Sequence, residues 1–293
     1  MTKKKRNISM FNIINTTGFI LLGFIFAYPF YYLIIYSLSN STEAARSTPW
    51  LLPRGLTMAN YMYLFKRGDI IKAFLVSLSR TVLGTAITVF CSAMFAYLLT
   101  QRKLAMRRFI YFILVITMYL NAGIIPYFII MRSYGLNNNF LLYILPSAIG
   151  AFYVILIKTY IESIPPALEE AAKIDGAGYF TVFIRVIMPI CLPILATIAI
   201  FSAVNQWNTW QDNFYLVKDR DLKTLQLLLL EYLQSMDSTL ISDINTALQK
   251  TQRTSSLSLK ACISVVTMLP VMVVYPLFQR YFVKGIMIGS VKG

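Results

Sequence analysis

The sequence contains six long, mostly apolar runs that carry no charged side chain. They cover residues 7–42, 81–101, 109–131, 140–157, 186–211 and 261–279. A helix of about 20 residues crosses the roughly 30 Å of hydrocarbon in a bilayer, where every backbone polar group must be bonded within the protein. The runs are too long and too continuously apolar for the strands of a membrane barrel. The sequence therefore predicts an all-α integral membrane protein with six transmembrane helices.

The positions of the basic residues predict the orientation of these helices. The net charge is +15, but the cations are spread over the loops, which favours a membrane topology over a nucleic-acid partner. Four cations lie in residues 3–6 and four more in residues 102–108, and dense groups this close to a span mark the cytoplasmic side. Six spans then place both termini in the cytoplasm. The long first run, with no cleavage site after it, predicts a retained helix and not a signal peptide.

Several residue types that carry catalysis or ion coupling are missing. The chain has no histidine and no motif of a zinc protease, an α/β-hydrolase or a P-loop, so we expect no enzymatic activity and no ATP hydrolysis by this chain. The cysteines, Cys91, Cys191 and Cys262, fall inside the runs and are interpreted as packing residues, with no metal site. No acid lies inside a run, and only Arg80 lies at the edge of one.

The lack of acids within the runs bears on how a transporter of this kind would be driven. Ion-coupled carriers usually bind protons or sodium through acids near the middle of the bilayer. A protein without them is expected to draw its energy from another subunit. An ion-coupled secondary carrier that acts without an ATPase stays as the main alternative, and a membrane scaffold or lipid-modifying enzyme as a third possibility.

The segment 161–189 separates two apolar runs with acids and very small side chains. Its centre reads "EEAAKIDGAG" at residues 169–178. Pro165 and Pro166 suit the first turn of a helix, the acids lie near its positive end, and Gly176 can adopt the backbone angles that end it. So small a surface allows a partner to approach closely. The residues alone leave open a second interpretation, a short interfacial helix that only joins two spans.

The spacing within this segment resembles the EAA loop of permeases from binding-protein-dependent ABC importers. That pattern is EAA, three residues, Gly, nine residues and I-x-L-P; here "EAA" at 170–172 is followed by Gly176 and by "VIMP" at 186–189. Valine in place of isoleucine and methionine in place of leucine are the departures. The resemblance implies a coupling helix that docks in a cleft of an ATPase subunit. Its coupling residues would be Glu169, Glu170, Ala171, Ala172, Asp175 and Gly176.

Other stretches resemble the carbohydrate-uptake branch of that family, especially the maltose-type second permease. They are "NAGIIPYFIIMRSYGL", "NQWNTWQDNFYL" and the closing "YPLFQRYFVKGIMIGSVKG", and the likeness runs from about residue 70 to the end. The resemblance implies the type I importer fold, with residues 1–70 as an extra N-terminal helix and external loop and residues 71–293 as the core. It also implies a C-terminal tail that reaches between the ATPases through Gly289 and Lys292, although a frayed terminus is the alternative.

The same resemblance implies a set of partners in a bacterial cytoplasmic membrane. They are a homologous second permease, two ATPase subunits that bind ATP and Mg²⁺, and an external solute-binding protein that delivers an oligosaccharide. No cofactor is expected in this chain. The sequence does not choose between maltodextrins, pectin fragments and uronate-containing oligosaccharides, nor between the possible bacterial hosts.

Polar groups inside the runs are candidates for the solute path, because lipid offers amides no partner. The groups that meet this description are Asn121, Asn205, Gln206, Trp207 and Asn208, and the predicted path consists of Asn121, Asn205, Trp207 and Asn208. Amide and indole N–H groups bond sugar hydroxyls, and aromatic faces cover the C–H side of a sugar ring. Alternatively, Asn121 joins two helices and Trp207 belongs to the interfacial aromatic belt.

Two further interpretations concern residues outside that set. Tyr127, Tyr143 and Tyr153 are interpreted as packing or belt residues. External cations favour either an anionic solute or an acidic binding protein that docks on them; these cations are Arg46, Arg54, Lys66, Arg67, Lys218, Arg220 and Lys223.

Overall fold

The structure is a computed structural model that describes residues 10–66, 68–120, 122–242, 257–274 and 276. Its regular elements in these ranges are helical, apart from one isolated bridge between Ser39 and Leu56. The longer ones are α1 (Met10–Ser37), α2 (Ser41–Arg46), α3 (Ala59–Lys66), α4 (Asp69–Thr100), α5 (Arg107–Tyr119), α6 (Ile124–Ser133), α7 (Ala151–Glu162), α8 (Ala167–Ile174), α9 (Tyr179–Ile190), α10 (Leu192–Asn208), α11 (Gln211–Leu216), α12 (Leu225–Ser242) and α13 (Leu257–Val274).

The helices of the described residues agree only partly with six straight spans. By length and apolar character α1, α4 and α13 could each cross a membrane alone. Two bent pairs raise the number to five: Phe140–Ser147 with α7, bent by 44°, and α9 with α10, bent by 83°. The third run is divided into α5 and α6. The count of six and the side on which the termini lie therefore stay predictions.

The two bent pairs correct the expectation of continuous helices at 140–157 and 186–211. Pro189 and Pro193 lie on either side of the sharper bend at Cys191. Proline has no N–H to donate and its ring clashes with the preceding turn, so closely spaced prolines break a helix. Pro146 lies in a 3₁₀ turn before α7 in the same way. The apolar content of these runs therefore predicted helices of spanning length but did not predict that the helices are bent.

The chain divides into two compact units, Met1–Arg67 with Glu231–Leu269 and Gly68–Leu230 with Pro270–Gly293. In the first unit, α1 presents a largely exposed apolar surface; Phe11 and Phe24 are 72% and 71% exposed. A soluble protein rarely exposes an apolar surface of this size, whereas lipid would cover it.

A polar cluster holds the end of α1 within this first unit. The side-chain amide of Asn60, on α3, donates to the carbonyls of Ser37 (3.1 Å) and Ser39 (2.9 Å). The Ser37 hydroxyl lies 2.7 Å from that of Tyr61. These bonds satisfy carbonyls that the end of a helix leaves without a partner. The helix α3 therefore stabilises the turn that follows α1.

The second unit is built around α4, which packs against α7 and α10. One face of α4 is buried at intervals of three or four residues, and much of it is small or hydroxyl-bearing: Ala73, Ser77, Gly84, Thr88, Ser92, Ala93 and Ala96. Small residues let helices approach closely, and hydroxyls bond across the gap. At Gly84 a Cβ would lie 2.6 Å from the Gln206 side-chain nitrogen. The sequence of α4 thus determines how near α10 can come.

Candidate functional site

The loop helix α8 forms where the sequence predicted a short acidic helix. The carbonyls of Pro165 and Pro166 accept its first backbone hydrogen bonds. It ends in a left-handed turn at Gly176, with φ of +83°, and the N–H of Ala177 bonds back to the carbonyl of Ala172 at 3.0 Å. This is the Schellman arrangement, in which glycine adopts the positive φ without the cost of a Cβ. Gly176 is therefore required by the backbone of the turn itself.

The two adjacent acids of α8 lie in different environments. The Glu169 carboxylate accepts hydrogen bonds from the Tyr97 hydroxyl (3.0 Å) and the Gln101 amide (2.9 Å), both in the last turn of α4 or just after it, and pairs with Lys173 at 2.7 Å. Glu170 is exposed and makes no hydrogen bond or ion pair with the described residues. Glu169 therefore ties α8 to α4, whereas Glu170 points away from this attachment.

The contacts of Glu169 change its acidity. Partial burial alone would raise the pKa of this carboxyl, but hydrogen bonds from Lys173, Gln101 and Tyr97 and the charge of Lys173 outweigh burial and hold the pKa below its usual value. The group stays ionised at neutral pH. A permanent charge keeps all three donors aimed at one carboxylate, which is the strong form of such bonds.

The outer side of α8 presents exposed small and apolar groups. Ala171, Asp175 and Gly176 are exposed, and Ile174 is 85% exposed. Ala172 is half-buried and packs on the core beneath. A surface of alanine, glycine and one protruding isoleucine can enter a shallow cleft of a partner. All six residues that the resemblance assigns to coupling lie on α8 and its terminal turn. Glu169 and Ala172 contact the core beneath, and the other four are exposed.

A second feature is a polar cavity of about 550 Å³ within the second unit. Its wall combines α4, α6, α10 and α11 with the 3₁₀ turns at Phe140–Tyr143 and Leu145–Ser147. The lining includes Arg80, Tyr127, Tyr143, Asn205, Gln211 and Asp212. We call it the polar cavity below.

One side of the polar cavity is a buried ion pair between α4 and α11. The Arg80 guanidinium donates to the two oxygens of Asp212 at 3.1 and 2.5 Å, and the two side chains are only 4% and 9% exposed. Arg80 also donates to the Gln206 side-chain oxygen at 3.0 Å and to the Thr209 carbonyl at 3.1 Å. Its planar head lies 4.6 Å from the centre of the Tyr143 ring. Fork-like pairing of this kind satisfies a buried guanidinium and a buried carboxylate together.

Behind the ion pair, uncharged side chains extend the network. The Asn213 amide donates to the Tyr143 hydroxyl at 2.6 Å, and that hydroxyl donates to the Leu222 carbonyl at 2.7 Å. Thr224 donates its N–H to the Asn213 oxygen at 2.9 Å. Buried polar groups are stable when all have partners, so this network fixes the segment after α10 against α4.

The predicted path residues are separated by this arrangement. Asn205 lines the polar cavity. Trp207 is 6% exposed, and its ring meets that of Phe74 edge to face at 5.9 Å. Asn208 is exposed and accepts a hydrogen bond from Gln226 at 3.1 Å. Asn121 lies outside the described residues, as do Gly289 and Lys292 of the tail.

Sequence reasoning found only part of the cavity lining. Tyr127 and Tyr143, interpreted as packing residues, do pack in an apolar cluster, and both also line the cavity. Asp212 was not predicted to contribute to the site. Arg80 was noticed only as a charge at the edge of a span. A charged side chain at the edge of a span is costly to bury and needs a partner within the protein. The position of Arg80 was therefore a signal for a buried polar site. Among the described residues, no three His, Cys, Asp or Glu side chains group to hold a metal ion.

Comparison with known proteins gives a consistent result. Residues 52–288 match the family model described as the inner membrane component of binding-protein-dependent transport systems. The chain is 35% identical over 280 residues to the polygalacturonan/rhamnogalacturonan transport system permease protein YtcP of Bacillus subtilis, with 94% of this chain and 96% of that protein covered. It is 32% identical to protein LplC of the same organism over 295 residues, with 100% and 97% covered.

A solved structure extends the likeness to the fold. A chain from the crystal structure of a bacterial ABC transporter involved in the import of the acidic polysaccharide alginate superimposes with a TM-score of 0.84. The two sequences are 28% identical, and the match covers 96% of this chain and 100% of the other. The all-helical fold described above is therefore that of an ABC importer permease.

Proposed function

Because this chain belongs to the family of inner membrane components of binding-protein-dependent transport systems, we propose that it is one of two permease subunits in an ATP-driven importer of oligosaccharides. Its solute would come from an acidic polysaccharide. The observation that carries this proposal is the 35% identity, over nearly the full length of both chains, to a permease named for polygalacturonan and rhamnogalacturonan transport. The fold shared with an alginate importer supports the same solute class.

The importer would lie in the bacterial cytoplasmic membrane with both termini of this chain in the cytoplasm. We propose six spans, in which α5 and α6 form a broken third span and the two bent pairs form the fourth and fifth. Residues 1–70 would add a helix and external loop to a core at 71–293. The dense cations at 3–6 and 102–108 support this orientation.

ATP hydrolysis would take place in two separate ATPase subunits that bind ATP and Mg²⁺. The exposed side of α8 would dock on one of them, with Glu170, Ala171, Asp175 and Gly176 at the contact and Glu169 as the link to α4. Residues Gly289 and Lys292 of the tail would reach the same subunits. The second permease and an external solute-binding protein complete the assembly.

The ion-coupled carrier receives no support from the comparisons. Among the described residues that line the polar cavity, the acid is Asp212, and Arg80 binds both of its oxygens. A coupling site needs a carboxylate that can exchange its cation during each cycle. Asp212 is instead a fixed partner between two helices.

Uptake into vesicles tests the proposed function. The chain is expressed with its neighbouring permease, ATPase and solute-binding protein and reconstituted, and accumulation of oligogalacturonides and maltodextrins is measured with and without ATP. We expect ATP-dependent uptake of oligogalacturonides in preference to maltodextrins. Uptake that follows an ion gradient and ignores ATP, or a preference for maltodextrins, would overturn the mechanism or the solute class respectively.

A further inference from the structure

The polar groups of the cavity that have no partner are all uncharged. Gln211, Tyr127 and Tyr215 make no hydrogen bond with the described residues, and the amide nitrogen of Asn205 donates to none of them. Amides and phenols donate and accept hydrogen bonds, as sugar hydroxyls do. The rings of the two tyrosines add flat apolar surface of the kind that covers the C–H face of a sugar ring.

Among the described residues, the ionised groups that line the cavity are Arg80 and Asp212, and they neutralise each other. Four of the five N–H groups of Arg80 donate to Asp212, Gln206 and the Thr209 carbonyl, and both oxygens of Asp212 accept from Arg80. An entering carboxylate would lose water without gaining a cation, and it would meet the charge of Asp212. Burial of an unpaired charge is far more costly than burial of hydroxyls that find partners.

The volume of the cavity suits part of an oligosaccharide. Sites for small molecules enclose about 300–1,000 Å³ and combine apolar walls with a few convergent polar groups. The polar cavity, at about 550 Å³, falls within that range. It is large enough for sugar rings and too small for a long chain.

We propose that the polar cavity is a sugar subsite that accepts the hydroxyl-bearing, uncharged face of the solute, and that a carboxylate on the same solute is held outside it. Asn205, Gln211, Tyr127 and Tyr215 would make the hydrogen bonds. The Arg80–Asp212 pair would serve as a rigid wall. This subsite rests on the proposed function, since it requires that the importer carries oligosaccharides.

Single substitutions in the reconstituted importer test the subsite. Asn205→Ala, Gln211→Ala and Tyr127→Phe each remove one hydrogen-bonding group from the cavity. Each should raise the KM for uptake on the order of 3- to 10-fold, which is the loss of one neutral hydrogen bond. Co-purification with the second permease verifies that each variant assembles, and three separate variants keep the test valid if one of them fails to fold.

Two control variants match the chemistry outside the cavity. Asn137 and Tyr134 are exposed, and neither lines the cavity. Asn137→Ala and Tyr134→Phe should leave KM unchanged. If the cavity variants behave like these controls while the wild type transports normally, the subsite is overturned and the proposed function stands. If the wild-type importer takes up no oligosaccharide, the proposed function itself fails.

A charge placed in the cavity tests which face of the solute enters. Gln211→Lys is compared for two probes, an oligogalacturonide and the same chain with its carboxyls methyl-esterified. We expect the lysine to impair uptake of both probes to the same extent, because the carboxylates stay outside. A selective gain for the free acid would show that a carboxylate enters the cavity, and it would overturn the uncharged subsite.

Discussion

The loop helix and the polar cavity each hold one carboxylate against one cation, but the two pairs are built differently. Glu169 and Lys173 lie one turn apart on α8, and their side chains are 22% and 37% exposed. Asp212 and Arg80 are 132 residues apart, on α11 and α4, and are 9% and 4% exposed. The first pair lies within one short helix at the surface, whereas the second joins two helices that are far apart in the chain.

The difference in burial predicts that the two pairs resist rearrangement to different extents. A partly solvated pair gains little and loses little when it rearranges. A buried pair is costly to break, because either charge left alone is without water. We infer that the contact with the ATPase moves by way of the loop while the wall of the cavity keeps its shape.

The largest effect should come from removal of one charge of the buried pair. Asp212→Ala leaves Arg80 buried without its carboxylate and should lower the free energy of unfolding by about 3–5 kcal/mol. Thermal unfolding of the purified protein in detergent measures the loss. The double variant Arg80→Met, Asp212→Leu buries no charge and should be more stable than Asp212→Ala. If the double variant is less stable than Asp212→Ala, the loss does not come from the unpaired charge of Arg80. The hydrogen bonds and packing of the two native side chains would then be the source of the stability.

The next largest effect should follow from a side chain at Gly176. An added Cβ meets no atom of the described residues within 4 Å, so the cost comes from the φ of +83° and from the partner surface; a backbone strain of this kind costs about 1–3 kcal/mol. We expect Gly176→Asp to abolish solute-stimulated ATP hydrolysis and uptake.

Gly178 provides a matched control for that substitution. It is exposed and its φ is −70°, which any residue adopts. Gly178→Asp adds the same bulk and charge to the same loop and should retain more coupling than Gly176→Asp. If both variants show wild-type ATP hydrolysis and uptake, the loop only connects two spans and does not couple them to an ATPase.

A smaller effect should separate the two neighbouring acids of α8. Glu169→Ala removes bonds to Tyr97, Gln101 and Lys173, each worth about 0.5–1.5 kcal/mol before solvent screening reduces it. Glu170→Ala removes no bond to the described residues and, under the proposed docking, only a contact with the ATPase, so it should weaken coupling less. The ratio of transport to ATP hydrolysis measures both. A stronger defect in Glu170→Ala would place the principal link at the partner surface.

The pH dependence of Glu169 sharpens the same comparison. Because its pKa lies below the usual value in the folded protein, its contribution is present above the ordinary carboxyl pKa and is lost only as the pH falls through the lowered value. Titration of Glu169 should therefore not change the ratio of transport to ATP hydrolysis between neutral and mildly acidic pH. A loss of coupling near neutral pH that Glu169→Gln abolishes would contradict this expectation.

The smallest effect should come from an exposed pair in the second unit. Lys72 and Asp221 are 2.7 Å apart, a distance like that of the pairs above, but their side chains are 64% and 71% exposed. Solvent and salt screen such a pair. Lys72→Ala should leave the melting temperature and transport unchanged. A marked drop would mean that distance, and not burial, governs the strength of ion pairs in this protein.

Much of the loop could be predicted from the sequence, and little of the cavity could. The pattern around Glu170 and Gly176 is local, and the structure shows the helix and the left-handed turn that those residues indicate. The attachment of Glu169 was not predictable, because Tyr97 and Gln101 lie 72 and 68 residues away. Trp207 was proposed for the solute path, and its burial against Phe74 could not be seen from its place in a motif.

By itself the sequence determined the membrane class, the helical fold and the family. Each of these follows from local patterns that can be read within a single stretch of sequence. The patterns are charge-free runs long enough to cross a bilayer and a spaced motif of acids and glycine. The tertiary structure alone decided which polar groups have partners and which are left facing a cavity. Those outcomes depend on partners brought together from distant parts of the chain, as Arg80 is with Asp212, and no local pattern encodes that pairing.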